Sequence, residues 1–174
     1  MNGLTLTHRD LIDSAYRWVL GKSCGFAFKE LRSIENECAD VIGFGSWSHS
    51  ILIEVKVSRS DFHADKRKPF RIDPKKGMGR YRFYCCPTNM LKVSDLPDNW
   101  GLIYVNEKGR ARCVHNPYTK NPEVSNIWKG GFEYNQIAER SLMYSALRRL
   151  HLRGRIDEIY SLDNLPNNGR EILL

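Results

Sequence analysis

Apolar residues recur every three to four positions near the start of the chain. This spacing predicts a helix from about Thr7 to Leu20, with its apolar side chains on one face. Thr7 and Asp10 are spaced to form a capping pair at its first turn, and Gly21 is suited to end it. We therefore expect the chain to open with an amphipathic helix.

The next segments are short and apolar or alternating, as strands are. Residues 26–31 alternate, residues 38–44 form an apolar run, and residues 50–57 form the most apolar run of the chain. The connections between the runs are short, and the second of them starts with Gly45 and Ser46, just after Gly43. Short connections of this kind predict an antiparallel meander of three strands.

The pattern then changes from strand to helix and back. A capping pattern at Ser58 predicts a short helix that stops before Pro69. Further strands are predicted over residues 81–86, 100–105 and 111–114, of which the last two form a hairpin. The order of helix, meander, helix and strand predicts an α/β domain built on a mixed sheet.

The last strong periodicity predicts a helix over about residues 133–150. Its expected apolar face is formed by Ile137, Met143, Ala146, Leu147 and Leu150. The tail over residues 163–170 contains Pro166 and Gly169, and we expect it to be loosely held. We interpret residues 1–174 as one domain.

Composition narrows the class of protein. The chain has 174 residues, of which 41% are hydrophobic, and this suits a single globular core. It has no apolar run of 18 residues and no export signal at its start, so we expect neither a membrane contact nor secretion. Its five cysteines include no C-x-x-C pair, which indicates reduced thiols in a cytoplasmic protein, with zinc binding as the alternative.

The positive charge is concentrated in one segment. Residues 66–82 contain eight basic residues and one acid, whereas the rest of the chain is formally neutral. We name residues 66–82 the basic segment, and its Pro and Gly residues predict a loop. A local excess of this kind indicates contact with a polyanion, and a solvated loop is the alternative.

Two charged residues interrupt the most apolar predicted strand. Glu54 and Lys56 are two positions apart, so both side chains point to the same face of the sheet. Charged side chains are rare in buried strands unless a counter-ion or a metal pairs with them. Asp40 adds a second carboxylate at the start of the preceding strand. The same spacing at Asp73 and Lys75 lies in a Pro-interrupted loop, and we discard it.

These residue types suit metal-dependent hydrolysis of a phosphodiester. Mg²⁺, for which Mn²⁺ can substitute, prefers hard oxygen ligands, and Asp40, Glu54 and the backbone carbonyl of Val55 provide them. Lys56 would orient or deprotonate the attacking water or stabilise the transition state. Glu30, on the strand before, would add a carboxylate through a bound water. The alternative is a partly buried ion pair between Lys56 and one of the acids.

The run of motifs around these residues resembles a known superfamily. Glu30, residues 39–41, residues 54–61 and residues 64–65 are together similar to the PD-(D/E)xK nucleases, and more narrowly to their MmcB-like DNA-repair branch. The similarity continues through residues 81–87 and 96–103 and covers roughly residues 8 to 150. Two features depart from the pattern: Ala39 stands where the motif has Pro, and the basic segment is an insertion.

The resemblance implies an α/β fold with a restriction-endonuclease-like core, in which helices flank a mixed central sheet. It implies that Asp40, Glu54 and Lys56 form the metal-and-lysine triad and that Glu30 is the additional upstream acid. The implied function is a metal-dependent DNA endonuclease, or a nuclease-like protein, in repair, recombination or a mobile element such as a phage. A catalytically inactive DNA-binding or recruitment module of the same fold is the alternative, and a homodimer or a repair or replication partner is left open.

A third hypothesis is an unrelated basic domain whose partner is RNA or a protein. In that case we expect Asp40 and Glu54 to lie far apart. For the nuclease hypothesis, contacts with the DNA backbone are predicted at Arg59, Lys66, Arg67, Lys68, Arg71, Lys75, Lys76, Arg80 and Arg82. The start of the short helix, at Ser58 and Arg59, could contact a phosphate, and helix capping by Ser58 alone is the alternative. Trp47, Phe70 and Tyr81 are candidates for base stacking, although we expect at least two of them to be packing residues.

Overall fold

Six strands form one mixed sheet whose order in space follows the order in the chain. The computed structural model describes residues 6–34, 36–120 and 128–161. The strands are β1 (Phe26–Lys29), β2 (Val41–Phe44), β3 (Ser50–Val55), β4 (Tyr81–Pro87), β5 (Gly101–Val105) and β6 (Ala111–His115). β3, β4 and β5 run parallel at the centre, and the outer pairings are antiparallel. The predicted α/β fold with a mixed central sheet flanked by helices is confirmed, and it is consistent with a restriction-endonuclease-like core.

The helices are α1 (His8–Leu20), α2 (Arg59–Asp65), α3 (Pro69–Ile72) and α4 (Gln136–Leu152), with 3₁₀ turns at Pro74–Lys76, Val93–Asp95 and Ile156–Tyr160. The predicted start of α1 is confirmed. The Thr7 hydroxyl accepts a hydrogen bond from the Asp10 N–H at 3.2 Å, and the Asp10 carboxylate accepts one from the Thr7 N–H at 2.9 Å. α3 and the first 3₁₀ turn lie in the basic segment, which is therefore more ordered than the predicted loop.

The sheet separates two apolar layers. On one face, Leu11 and Val19 of α1 pack with Ile51 and Ile53 of β3. The other face contains Leu52, Tyr84 and Leu102, which pack with Phe62 of α2 and Leu142 of α4. Because Glu54 is two residues after Leu52, it points into this second layer.

The position of α4 corrects one prediction. Ile137, assigned to the buried face, is 64% exposed, and Leu147 is also exposed. The buried residues are Ala138, Glu139 and Leu142. Glu139 lies outside the predicted apolar face, but its Oε1 accepts hydrogen bonds from the Gly79 N–H at 2.8 Å and from the Ser50 hydroxyl at 2.9 Å. These two hydrogen bonds satisfy the buried carboxylate. The side of α4 that faces the protein interior is therefore the side with Glu139, and not the predicted apolar face.

The predicted tail at residues 163–170 lies outside the described residues. No helix in the described part of the chain is long and apolar enough to cross a bilayer. All five cysteines are free.

Glu139 makes the stability of the fold depend on pH. Burial raises the pKa of Glu139 from 4.5 to about 7. A raised pKa in the folded state gives stability that is complete below the unfolded-state pKa and is lost as the pH rises through about 7. We expect Glu139→Gln, which keeps the oxygen acceptor without the charge, to lose less stability than wild type between pH 5 and pH 8. Parallel melting-temperature curves for both proteins would contradict this, and exposed Glu133→Gln is the control.

Candidate active site

The carboxyl end of β3 carries the two charged residues of the predicted motif. Glu54 is 2% exposed and Lys56 is 3% exposed. β3 positions both, because Glu54 is paired with Tyr84 of β4 and the Lys56 N–H donates a hydrogen bond to the Cys85 carbonyl at 2.8 Å. The carboxyl ends of parallel strands are common binding places in α/β sheets.

Asp40 lies immediately before β2, beside the end of β3. Its Oδ2 accepts a hydrogen bond from the Val55 N–H at 2.7 Å, and its Oδ1 is 3.6 Å from His8 Nε2. The side chain is 17% exposed. Burial and the negative charge of Glu54 raise the pKa of Asp40 to about 6. The two predicted metal ligands are therefore close enough to repel each other.

Lys56 is held between two carboxylates. Its ammonium lies 3.2 Å from Glu54 Oε2 and 3.4 Å from Asp65 Oδ1. Burial alone would lower the pKa of Lys56, but the charges of Glu54 and Asp65 outweigh it and raise the pKa. Lys56 therefore keeps its positive charge. Asp40, Glu54 and Lys56 meet at one place, unlike the arrangement expected of an unrelated basic domain.

A buried arginine completes this charged group. Arg71 Nη2 lies 2.7 Å from Glu54 Oε1, its Nε donates to Asp65 Oδ2 at 2.9 Å, and its Nη1 donates to Glu37 Oε1 at 3.1 Å. Asp65 also accepts a hydrogen bond from the Tyr84 hydroxyl at 2.9 Å. Arg71 thus joins carboxylates that come from three separate parts of the chain.

Lys68 brings a third cation to the same carboxylates. Its ammonium lies 2.7 Å from Asp65 Oδ1 and 3.9 Å from Glu54 Oε2, and its side chain is 42% exposed. Three carboxylates are thus matched by three cations, and Asp40 is left as an additional negative charge. We name this set the ion cluster: Glu37, Glu54, Asp65, Lys56, Lys68 and Arg71.

The residues around Asp40 include the oxygen ligands that a divalent cation such as Mg²⁺ takes. Asp40 and Glu54 repel each other, and Arg71 Nη2 lies 2.7 Å from Glu54 Oε1. Val55, whose N–H donates to Asp40, brings its backbone to the same place. Among the described residues, no group of three His, Cys, Asp or Glu side chains is arranged around a metal site. The protein would therefore supply two carboxylates and a carbonyl, and water would complete the coordination, as is usual for Mg²⁺.

Glu30 is not part of the ion cluster. Its N–H donates a hydrogen bond to the Asp40 carbonyl at 3.1 Å, but its side chain is exposed. Its backbone is left-handed, with φ 48°, and this turns the chain after β1. The upstream acid that the structure buries beside the triad is Glu37. Glu37 could have been noticed in the sequence, because it directly precedes the apolar run of residues 38–44. A charged residue next to a buried strand is a candidate for burial.

Two arginines of the basic segment are buried, and this corrects their predicted role. Arg71 belongs to the ion cluster, and Arg82 is fully buried. Arg82 donates hydrogen bonds to the carbonyls of Pro74 at 2.7 Å, Gly77 at 3.0 Å and Gly79 at 2.9 Å. A side chain held in this way cannot reach a phosphate backbone. The predicted DNA contacts of Arg71 and Arg82 are therefore wrong, and both residues organise the basic segment from inside.

The other predicted contact residues are at or near the surface. Arg59 forms a two-point ion pair with Asp95 at 2.9 and 3.0 Å, and the Lys66 ammonium donates to the Asp95 carbonyl at 3.1 Å. Lys75 lies 2.7 Å from Glu133, and Lys76 lies 3.6 Å from Asp73. Arg67 is exposed and Arg80 is half-buried. The DNA contacts of these residues and of Lys68 stay predictions.

The cavities in the described part of the chain include four surface cavities of about 480 to 510 Å³. None of the four is lined by Asp40, Glu54 or Lys56.

Comparisons with known proteins bear on the fold alone. No protein family matches this sequence, and no curated protein matches it either. A solved structure of a protein of unknown function from Silicibacter pomeroyi has a similar fold, with a TM-score of 0.57 and 19% identity. The match covers 94% of this chain and 99% of that protein. The two chains therefore share an architecture over almost their whole length.

Proposed function

We propose that this protein is a divalent-metal-dependent deoxyribonuclease of the PD-(D/E)xK type. The observation that carries the proposal is the convergence of Asp40, Glu54 and Lys56 at the carboxyl end of β3. In this place two carboxylates repel each other beside a lysine that keeps its charge. Such perturbed groups are typical of functional sites. Repair, recombination or a mobile element is the proposed setting.

The residues divide the chemistry between them. Mg²⁺ or Mn²⁺, when held by Asp40, Glu54 and the Val55 carbonyl, would neutralise charge on the phosphate and activate a water. The ammonium of Lys56 orients that water or stabilises the negative charge of the transition state. The Val55 N–H keeps Asp40 in its orientation, and Arg71 fixes the Glu54 oxygen that Lys56 does not contact.

The surface next to the ion cluster is suited to a phosphate backbone. Lys66, Arg67 and Lys68 follow α2, and Lys68 is itself a member of the ion cluster. Exposed cations in a row release counter-ions when they bind DNA, so affinity should fall as salt is added. The substrate would then cross the basic segment with its phosphates near Lys68.

Loss of cleavage in Lys56→Ala tests the proposal. The protein is incubated with plasmid, linear, single-stranded and branched DNA in Mg²⁺ or Mn²⁺. We expect wild type to cleave at least one substrate, a chelator to stop the reaction, and Lys56→Ala to lower the rate by about 10²-fold or more. Lys108→Ala, at an exposed lysine between β5 and β6 that is not a predicted DNA contact, is the control and should keep the wild-type rate.

Two results would contradict the proposal: no cleavage of any substrate, or a Lys56→Ala rate equal to wild type. Because Lys56 is buried between two acids, its removal also affects stability. The melting temperature of each variant is therefore measured first, and rates are compared at a temperature at which both proteins are folded.

A catalytically inactive DNA-binding or recruitment module is the second candidate. It is favoured by one observation, namely that Lys56, Lys68 and Arg71 already match the charges of Glu37, Glu54 and Asp65. Such a module binds DNA in a salt-sensitive manner in the presence of a chelator. It also gives no heat of Mn²⁺ binding in calorimetry, whereas the nuclease should lose its Mn²⁺ affinity in Asp40→Asn.

A further inference from the structure

The hairpin between β2 and β3 presents a tryptophan to solvent. Trp47 is 96% exposed, whereas Trp18, Trp100 and Trp128 are buried or half-buried. An indole carries a large apolar area that is usually covered in a folded protein. Trp47 therefore contributes nothing to the core, and its indole is accessible to a ligand.

The hairpin holds Trp47 in a defined conformation. Trp47 and Ser48 are both left-handed, with φ 58° and 57°, which is rare for a bulky residue. The turn is closed by a hydrogen bond from the Gly45 N–H to the His49 carbonyl at 2.7 Å. The Tyr134 hydroxyl donates to the Ser48 carbonyl at 3.3 Å, and His49 Nε2 lies 3.0 Å from the Lys22 carbonyl. The indole is thus mounted on an anchored turn.

A cavity of about 480 Å³ adjoins Trp47. Its lining includes the rings of His49, Tyr81 and Trp128, together with Arg80, and contains no carboxylate. The guanidinium of Arg80 lies 5.6 Å from the centre of the Tyr81 ring. Aromatic rings can stack on a flat ring of a ligand, and the neighbouring arginine can pair with an anion. The cavity therefore suits a ligand that carries both a flat ring and a negative charge.

We propose that Trp47 is a stacking platform for an unpaired nucleobase, and that Arg80 binds the adjoining phosphate. The choice of DNA rests on the function proposed above, whereas the platform itself rests on the hairpin. Bases stack on aromatic side chains with little sequence preference, and a guanidinium matches the geometry of a phosphate. These two interactions together select nucleic acid over a purely apolar protein surface.

The platform also specifies the form of the substrate. Ser50 and Glu54 lie at opposite ends of β3, about 13 Å apart at the rise of a strand. Trp47 precedes Ser50, so the platform and the candidate active site are separate contacts. The bases of a duplex stack on each other, and a base becomes available to Trp47 only where it is unpaired. The substrate class is DNA with a single-stranded section, such as a flap, a tail or an open junction.

Binding to a labelled oligothymidylate tests the platform. Fluorescence anisotropy is measured in a chelator, so that cleavage does not interfere. We expect Trp47→Asn to weaken binding by about 5- to 100-fold, since stacking on an aromatic residue contributes that much per base. Asn is chosen because it tolerates the left-handed backbone at this position. Trp47→Phe should stay within about 3-fold of wild type, and Tyr144→Ala, at another exposed aromatic residue, should bind normally.

The outcomes separate this inference from the proposed nuclease activity. Wild-type affinity in Trp47→Asn overturns the platform, even if the protein cleaves DNA. Loss of affinity in Trp47→Asn supports the platform, even if no metal supports cleavage. If Trp47→Asn dissociates a dimer in light scattering and leaves oligothymidylate affinity unchanged, the surface is a protein interface and the platform is overturned.

Discussion

Replacing Asp40 by asparagine is expected to abolish cleavage and, at the same time, to stabilise the fold. The asparagine oxygen can still accept the hydrogen bond that the Val55 N–H donates to Asp40 at 2.7 Å. What the substitution removes is a negative charge that is repelled by Glu54. Since that charge would hold the metal, we expect the cleavage rate to fall by about 10³-fold.

The sign of the stability change follows from the pKa of Asp40. Burial and Glu54 raise this pKa from 3.8 to about 6, so the folded protein binds the proton more tightly than the unfolded chain. The stability that Asp40 contributes is complete below about pH 4 and is lost as the pH rises through about 6. A shift of this size corresponds to about 2–3 kcal/mol. Asp40→Asn should recover about 1–3 kcal/mol at pH 8 and less at pH 5.

Urea unfolding without divalent metal, at pH 8 and at pH 5, measures this difference. Asp73→Asn is a matched control, because Asp73 and Lys75 have the same spacing as Glu54 and Lys56 but lie in an exposed turn. It should leave cleavage unchanged and alter stability by less than about 0.5 kcal/mol. An Asp40→Asn protein that is less stable than wild type at pH 8, or one that still cleaves DNA, would contradict the expectation.

Strand periodicity explains why the triad could be predicted from the sequence. Lys56 directly follows β3 and lies two positions after Glu54, so their shared face follows from the geometry of an extended backbone. The position of Asp40 near the end of β3 follows from the meander, because β2 and β3 are antiparallel neighbours joined by a short turn. The start of α1 is also local, since Thr7 and Asp10 cap it within one turn. These predictions depend on contacts between residues that are close in sequence.

The members of the ion cluster that the sequence did not indicate depend on long-range packing. Arg71 reaches Glu37, which is 34 residues away in the chain, from a helix of only four residues. Neither periodicity nor charge distinguishes Arg71 from Arg67, which is four residues earlier and exposed. The burial of Glu139, which rotates α4, likewise depends on the Gly79 N–H, 60 residues away. A pattern of apolar positions carries no information on such partners.

The basic segment shows how a charge excess can serve two purposes. Part of it neutralises buried acids, as Arg71 and Lys68 do with Asp65. The exposed part remains available to a polyanion, as at Arg67. A count of charges along the chain cannot separate the two, because the acids that Arg71 matches lie elsewhere in the sequence. Only the exposed part should contribute to the salt dependence of DNA binding.

The largest loss of stability is expected from Arg71→Met. Arg71 contacts Glu37, Glu54 and Asp65, and its guanidinium also lies 5.0 Å from the centre of the Trp100 ring. Methionine has an unbranched apolar side chain but no charge, so three buried carboxylates would be left with two lysines. Removing one partner from a buried ion pair costs about 3–5 kcal/mol, because the remaining charge is left unpaired.

The loss of stability in Arg71→Met should depend on pH. The same substitution at the nearby Arg67 should cause almost no loss. Without Arg71, the buried carboxylates hold their protons more tightly in the folded state, so the deficit should shrink as the pH falls from 8 towards 5. Arg67→Met changes the same residue type in an exposed position of the same segment, and its effect should stay below about 0.5 kcal/mol. Urea unfolding of both variants gives the comparison. Equal stabilities for the two variants would mean that Arg71 does not hold the ion cluster together, and Glu54 would then need another residue to keep it in place for the metal.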